Sequence, residues 1–98
     1  MNKNSRINLF IRALIGEAQI LNLIGQNYKA LKYAQEAFKF SKSQNKKKWE
    51  VDSLLQMSNI FGTLSKFDKM LSTAQDSLAL SQKFKFKQEK AESLNNIG

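Results

Sequence analysis

The chain has 98 residues, 42% of them hydrophobic, with no proline, cysteine or histidine and a net charge of +8. That hydrophobic content suits one small folded domain and is too high for a disordered chain. The missing cysteine and histidine exclude disulfides, thiol nucleophiles, Cys/His zinc sites and any Ser-His or Cys-His dyad.

Met1 to Arg6 is basic and Asn8 to Ala18 fairly apolar, but Arg12 and Glu17 interrupt the run and no clean cleavage site follows. A signal peptide is therefore not expected, nor is a membrane span, because no segment approaches the length of uncharged apolar chain that a bilayer requires. A cytoplasmic location follows as an expectation. Ile7 to Ile24 reads as a first helix, with Ile7, Phe10, Ile11, Leu14, Ala18, Leu21 and Ile24 recurring at three- and four-residue steps. Gly25 is placed to end it in a left-handed conformation, and Asn27 to cap the next helix.

The second helix is expected from Asn27 to about Gln44, with an apolar face of Tyr28, Leu31, Ala34 and Phe38 and with Ala30, Ala37 and Phe40 alongside. Asn45 to Lys48 reads as a polar link. A third helix is expected from near Trp49 to a turn around Ser65 and Lys66, carrying Val51, Leu54, Leu55, Ser58, Phe61 and Leu64 on one face. Phe67 to about Lys83 gives a fourth, and Phe84 to Phe86 a second link. Gln88 to Gly98 opens a fifth helix without a following partner, so a segment of a longer array is expected.

The elements repeat with a forty-residue period: Leu14 falls on Leu54 and Leu94, Ile20 on Ile60, Lys29 on Lys69, Leu31 on Leu71, and Ala34-Gln35 on Ala74-Gln75. Such a period means stacked copies of one helical hairpin, and stacked copies bury a continuous core that one hairpin cannot supply. The expected layout is helix A, helix B, A, B and an unpaired A: about 6–46, 47–86 and 87–98. Small residues recur where the helices of a pair must approach: Ala18, Ser58 and Gly98 late in the A helices, Ala37 and Ser77 in the B helices.

These positions resemble the tetratricopeptide repeat (TPR). Leu14, Ala18, Leu21, Ala30, Ala34 and Ala37 mark the first copy, and Gly25 to Leu31 is similar to the family's Gly-Asp-Tyr-x-x-Ala-Leu turn. Leu54, Met57, Ser58, Phe61, Phe67, Met70, Ala74 and Ser77 mark the second; Leu94, Ile97 and Gly98 open the third. The period exceeds the common TPR length of roughly 34 and resembles the long units of kinesin light chains and bacterial signalling proteins. Leucine stands where the family's tryptophan is usual, Met70 where alanine is, and no proline closes a unit. The resemblance implies an all-α solenoid, a right-handed superhelix that binds extended or helical peptides in a concave groove lined by its A helices. It also implies a place in a larger bacterial regulatory protein, where the array senses a partner and transmits the signal.

Periodicity independently marks the A-helix residues that face away from helix B. They are Arg12, Ile15, Gln19, Asn22 and Leu23 in copy one, Asp52, Leu55, Gln56 and Asn59 in copy two, and Glu92, Asn95 and Asn96 in copy three. Amide side chains donate and accept at once, so they can bind a peptide backbone without reading its side chains; pockets at Ile15, Leu23 or Leu55 would then supply specificity. No catalytic set, metal cluster or Gly-rich phosphate loop is present, so neither enzyme activity nor a cofactor is expected. Self-association through the exposed third A helix is the alternative. Nucleic-acid binding by the +8 surface ranks below both, since Arg6 and Arg12 are the only arginines and recognition of phosphate and guanine favours arginine's planar fork.

Overall fold

The computed structural model describes residues 2–84, which form four helices: α1 (Lys3–Leu23), α2 (Asn27–Ser43), α3 (Lys47–Thr63) and α4 (Phe67–Phe84). No strand occurs among the described residues. The helices run further than the apolar pattern alone suggests. α1 starts at Lys3 because Asn2 accepts the Ser5 amide N–H at 2.8 Å and caps it. α3 starts at Lys47, so only Lys46 of the lysine run lies in the turn, and Phe84 belongs to α4 rather than to a link.

All three connections are the same turn. Each ends a helix with a residue at positive φ: Gly25 at 87°, Asn45 at 57° and Ser65 at 59°, spaced by twenty residues. The next amide in each case reaches back to a carbonyl five residues earlier: Gln26 N–H to Leu21 O at 2.8 Å, Lys46 N–H to Ser41 O at 2.9 Å, Lys66 N–H to Phe61 O at 2.8 Å. A second bond, from Gly25 N–H to Asn22 O and its two counterparts, completes the Schellman motif. The forty-residue period is therefore two seventeen-residue helices, α2 and α3, each with its three-residue turn. The link between hairpins is as tight as the turn within one.

Asn27 does not cap α2. Gln26 is the N-cap and makes no side-chain cap bond, while Asn27 Nδ2 donates back to Asn22 Oδ1 at 2.8 Å. The cost of the left-handed turn is unevenly relieved: glycine adopts it freely, asparagine tolerates it, serine does not. Ser65→Gly is thus expected to raise stability by about 1 kcal/mol, and Gly25→Ala to lower it by about 1 kcal/mol. Chemical denaturation of the two variants measures both.

Each helix packs on its chain neighbours, and α1 also touches α3, whereas α2 and α4 make no close backbone approach. α2 fits between α1 and α3 because its buried stripe is small: Ala30, Ala34, Ala37 and Ser41, all with no exposure. Ile11, Leu14, Ile15, Ala18 and Leu21 of α1 and Ile60 of α3 meet that stripe. α3 is packed on three sides, so Glu50, Ser53 and Ile60 are buried beyond the face its apolar residues mark. Conversely, Phe10, Ile24 and Tyr28, which the helical period places on apolar faces, are 51%, 62% and 65% exposed.

Copy two replaces two alanines of copy one with serines, and both hydroxyls find partners. Ser58 Oγ donates to Met70 O at 3.0 Å and Ser77 Oγ to Val51 O at 3.5 Å, so each ties α3 to α4. Met70 itself fits because Gly62 faces it: a Cβ there would lie 3.0 Å from the Met70 sulfur.

Candidate functional site: a groove between α1 and α3

The contact of α1 with α3 leaves a groove of about 460 Å³ between them. Arg12, Ile15, Gly16 and Gln19 line it from α1, and Trp49, Asp52, Leu55 and Gln56 from α3. Six of the A-helix residues marked by periodicity thus come together: Arg12, Ile15, Gln19, Asp52, Leu55 and Gln56. The reason is the register. Residues forty apart occupy the same place on successive A helices, so Arg12 matches Asp52, Ile15 matches Leu55, and Gly16 matches Gln56.

The groove has an apolar floor and polar walls. Ile15 and Leu55 are 7% and 3% exposed and belong to the interior, so they close the groove underneath rather than form specificity pockets. Arg12 and Gln19 are exposed, Asp52 and Gln56 half-buried. Gly16 leaves a gap: a Cβ there would meet nothing within 4 Å. Trp49 forms one wall. Its indole N–H donates to Asn8 Oδ1 at 3.1 Å, and its ring packs against the core cluster of Ile11, Leu14 and Ile15. The chain's only tryptophan is thereby held in a fixed orientation.

The remaining marked residues fall elsewhere. Leu23 is 85% exposed at the end of α1 and does not line the groove. Asn22 is engaged structurally: its Oδ1 accepts from Asn27 Nδ2 at 2.8 Å, and its Nδ2 donates to Thr63 Oγ1 at 3.4 Å, linking the α1–α2 turn to the end of α3. Asn59 is exposed one turn beyond the groove. Glu92, Asn95 and Asn96 lie outside the described residues. Sequence reasoning did not select Gly16 or Trp49. The register with Gln56 was the available signal for Gly16, and the i, i+3 spacing to Asp52 was that for Trp49.

A second cleft, of about 410 Å³, opens where α2 and α4 stand apart. Phe38 and Lys42 of α2 face Asp76, Leu80 and Lys83 of α4 across a floor of Leu54 and Glu50. Glu50 is only 3% exposed, and its Oε2 lies 3.1 Å from Lys47 Nζ without a donor aligned to hydrogen-bond it. Contact with the lysine is what offsets the burial of that carboxylate. Lys47→Ala should therefore cost about 1–2 kcal/mol although Lys47 is a surface residue, and the double variant with Glu50→Gln should recover most of the loss. Thermal denaturation of the two variants measures it.

Among the described residues no group of three acidic side chains could hold a metal ion, and no helix is long and apolar enough to cross a membrane. No family model matches the sequence, and no curated protein or solved structure does either.

Proposed function

We propose that this chain is a TPR-like interaction module, the sensing part of a larger bacterial regulatory protein, and that it binds an extended peptide in the α1/α3 groove. The observation that carries the reading is the groove itself: an apolar floor of Ile15 and Leu55 between paired amide and charged walls. Gln19 and Gln56 each offer a donor and an acceptor, which suits a peptide main chain. Arg12 and Asp52 add one charge of each sign, and Trp49 adds an aromatic wall for an apolar side chain. The turn geometry supports the repeat reading, since the same connection joins successive helices at twenty-residue intervals. The role is binding rather than catalysis.

Trp49 supplies the test. A peptide selected from a random displayed library should shift and quench its fluorescence in a saturable way, because its ring lines the groove. Selected peptides that bind without altering Trp49 emission would place the interaction elsewhere.

The third A helix, the expected route to self-association, lies outside the described residues; a second reading, self-association through another surface, has its own support at the end of α1. Ile20 and Leu23 of α1 and its C-cap residue Ile24 follow an i, i+3, i+4 spacing and are 55%, 85% and 62% exposed. If those residues join two copies, sedimentation should show a dimer that Leu23→Glu returns to monomer.

A further inference from the structure

We infer that the pole of the molecule formed by the start of α1, the end of α2, the start of α3 and the end of α4 is a docking surface for an anionic lipid bilayer. The antiparallel order brings those four ends together, as direct contacts show. Lys46 Nζ donates to Asn4 Oδ1 at 2.9 Å across the α1 and α3 starts, and Lys47 and Lys83 lie 5.8 and 5.6 Å from the centre of the Phe84 ring. Lys3 and Arg6 sit at the start of α1; Lys39 and Lys42 lie near the end of α2. Lys46 forms the turn, Lys47 and Lys48 open α3, and Lys83 comes near the end of α4. Three acids stand near these eight cations: Glu50, buried and already beside Lys47, Asp76, which lines the α2/α4 cleft with Lys42 and Lys83, and Glu36, which lines another cleft with Lys39. The opposite pole carries Lys29, Lys32, Lys66 and Lys69 with the acid Asp68 among them. Charge read along the chain is diffuse; the fold concentrates it.

Two further observations point to a ligand and to its kind. Cations at helix starts oppose the helix dipole, so Lys3, Arg6, Lys47 and Lys48 stand where the fold alone would favour acids. Such a conflict between local stability and sequence is expected at functional surfaces. The pole also carries exposed apolar groups: Leu9 at 45%, Phe10 at 51% and Phe84 at 37%. Lysine stems and aromatic rings together match the boundary between lipid headgroups and acyl chains, where each adds to binding. A nucleic-acid backbone has no use for Leu9, and it is better held by the arginine fork that only Arg6 offers here. Net charge, lysine choice and apolar content thus select a lipid surface.

The experiment is co-sedimentation of the whole chain with phosphatidylcholine vesicles, with and without phosphatidylserine. Binding should require phosphatidylserine and weaken as salt rises. Replacing Lys39, Lys42, Lys48 and Lys83 with glutamine should reduce partitioning by about a hundredfold or more. Replacing Lys29, Lys32, Lys66 and Lys69 with glutamine removes the same charge from the other pole and should leave partitioning within about threefold. Lys48→Glu should weaken binding while raising the melting temperature, a pairing that misfolding cannot produce. Failure to bind anionic vesicles would overturn the inference, as would equal losses in the two quadruple variants. Displacement of bound protein by duplex DNA at matched charge would assign the pole to nucleic acid instead.

Discussion

Ala34→Leu should be the most damaging single substitution on α2, lowering stability by about 3 kcal/mol or more. Ala34 has no exposure and sits in a cluster with Ala18, Leu21, Ala30 and Ile60, where α2 is wedged between α1 and α3. Three added carbons have nowhere to go without spreading both neighbours, because protein interiors hold few voids of that size. In a domain of this length each kcal/mol moves the melting temperature by roughly 4–8 °C, so a fall of about 12 °C or more is expected. Gln35→Leu, one residue along and exposed, makes a matched control and should shift it by less than about 4 °C. The same wedge carries the groove. Anything that spreads α1 from α3 also misplaces Gln19 relative to Gln56, so loss of binding in Ala34→Leu would follow from loss of packing.

The second large effect separates binding from packing. Gly16→Phe should abolish peptide binding, with a loss of about a hundredfold or more, while leaving the fold at least as stable as before. Gly16 lines the groove and nothing lies within 4 Å of a Cβ there, so a ring at this position has room to enter the groove. A helix-interior glycine also costs about 0.5–1 kcal/mol relative to alanine, so any side chain tolerated there recovers part of that. A graded series sharpens the result. Gly16→Ala should bind nearly as the parent does, Gly16→Leu more weakly, and Gly16→Phe not measurably. Calorimetric titration with a peptide selected on the parent chain, beside thermal melts of each variant, gives both quantities.

Local chemistry made the helices legible from the residues, and only partly the packing. The period of apolar positions placed α2 almost to the residue and set the start of α4, because Gly25 interrupts it clearly and Ser65 and Lys66 mark the later turn. It placed the starts of α1 and α3 too late. The first turns there are polar and are held by an Asn2 cap and by the Ser41–Lys46 turn bond, neither of which an apolar pattern records. Asn45 and Ser65 gave weaker turn signals than glycine, yet they adopt the same left-handed geometry. Burial of Glu50 and Ser53 was hidden for a different reason. A helix packed on three sides buries residues that its own amphipathic face leaves out.

The groove was legible to the extent that register governs it. Arg12 meets Asp52, Ile15 meets Leu55 and Gly16 meets Gln56 because a forty-residue repeat puts equivalent residues side by side, whereas Gln19 lines the groove without its equivalent, Asn59. Asn22 shows where that reasoning stops: it is an A-helix residue of the right phase, but the tight turn after α1 brings Asn27 back to occupy its amide. Trp49 shows the converse. Its hydrogen bond to Asn8 is a contact across forty-one residues that turns a packing residue into a wall of the groove.

Amide chemical-shift mapping by NMR, with a library-selected peptide titrated into the whole chain, tests the account most directly. It predicts that the largest changes fall on Gly16, Gln19, Gln56 and the Trp49 indole N–H, with α2 and the two poles little moved. Saturable changes confined to α2, α4 or a pole, with those four signals stationary, would contradict it.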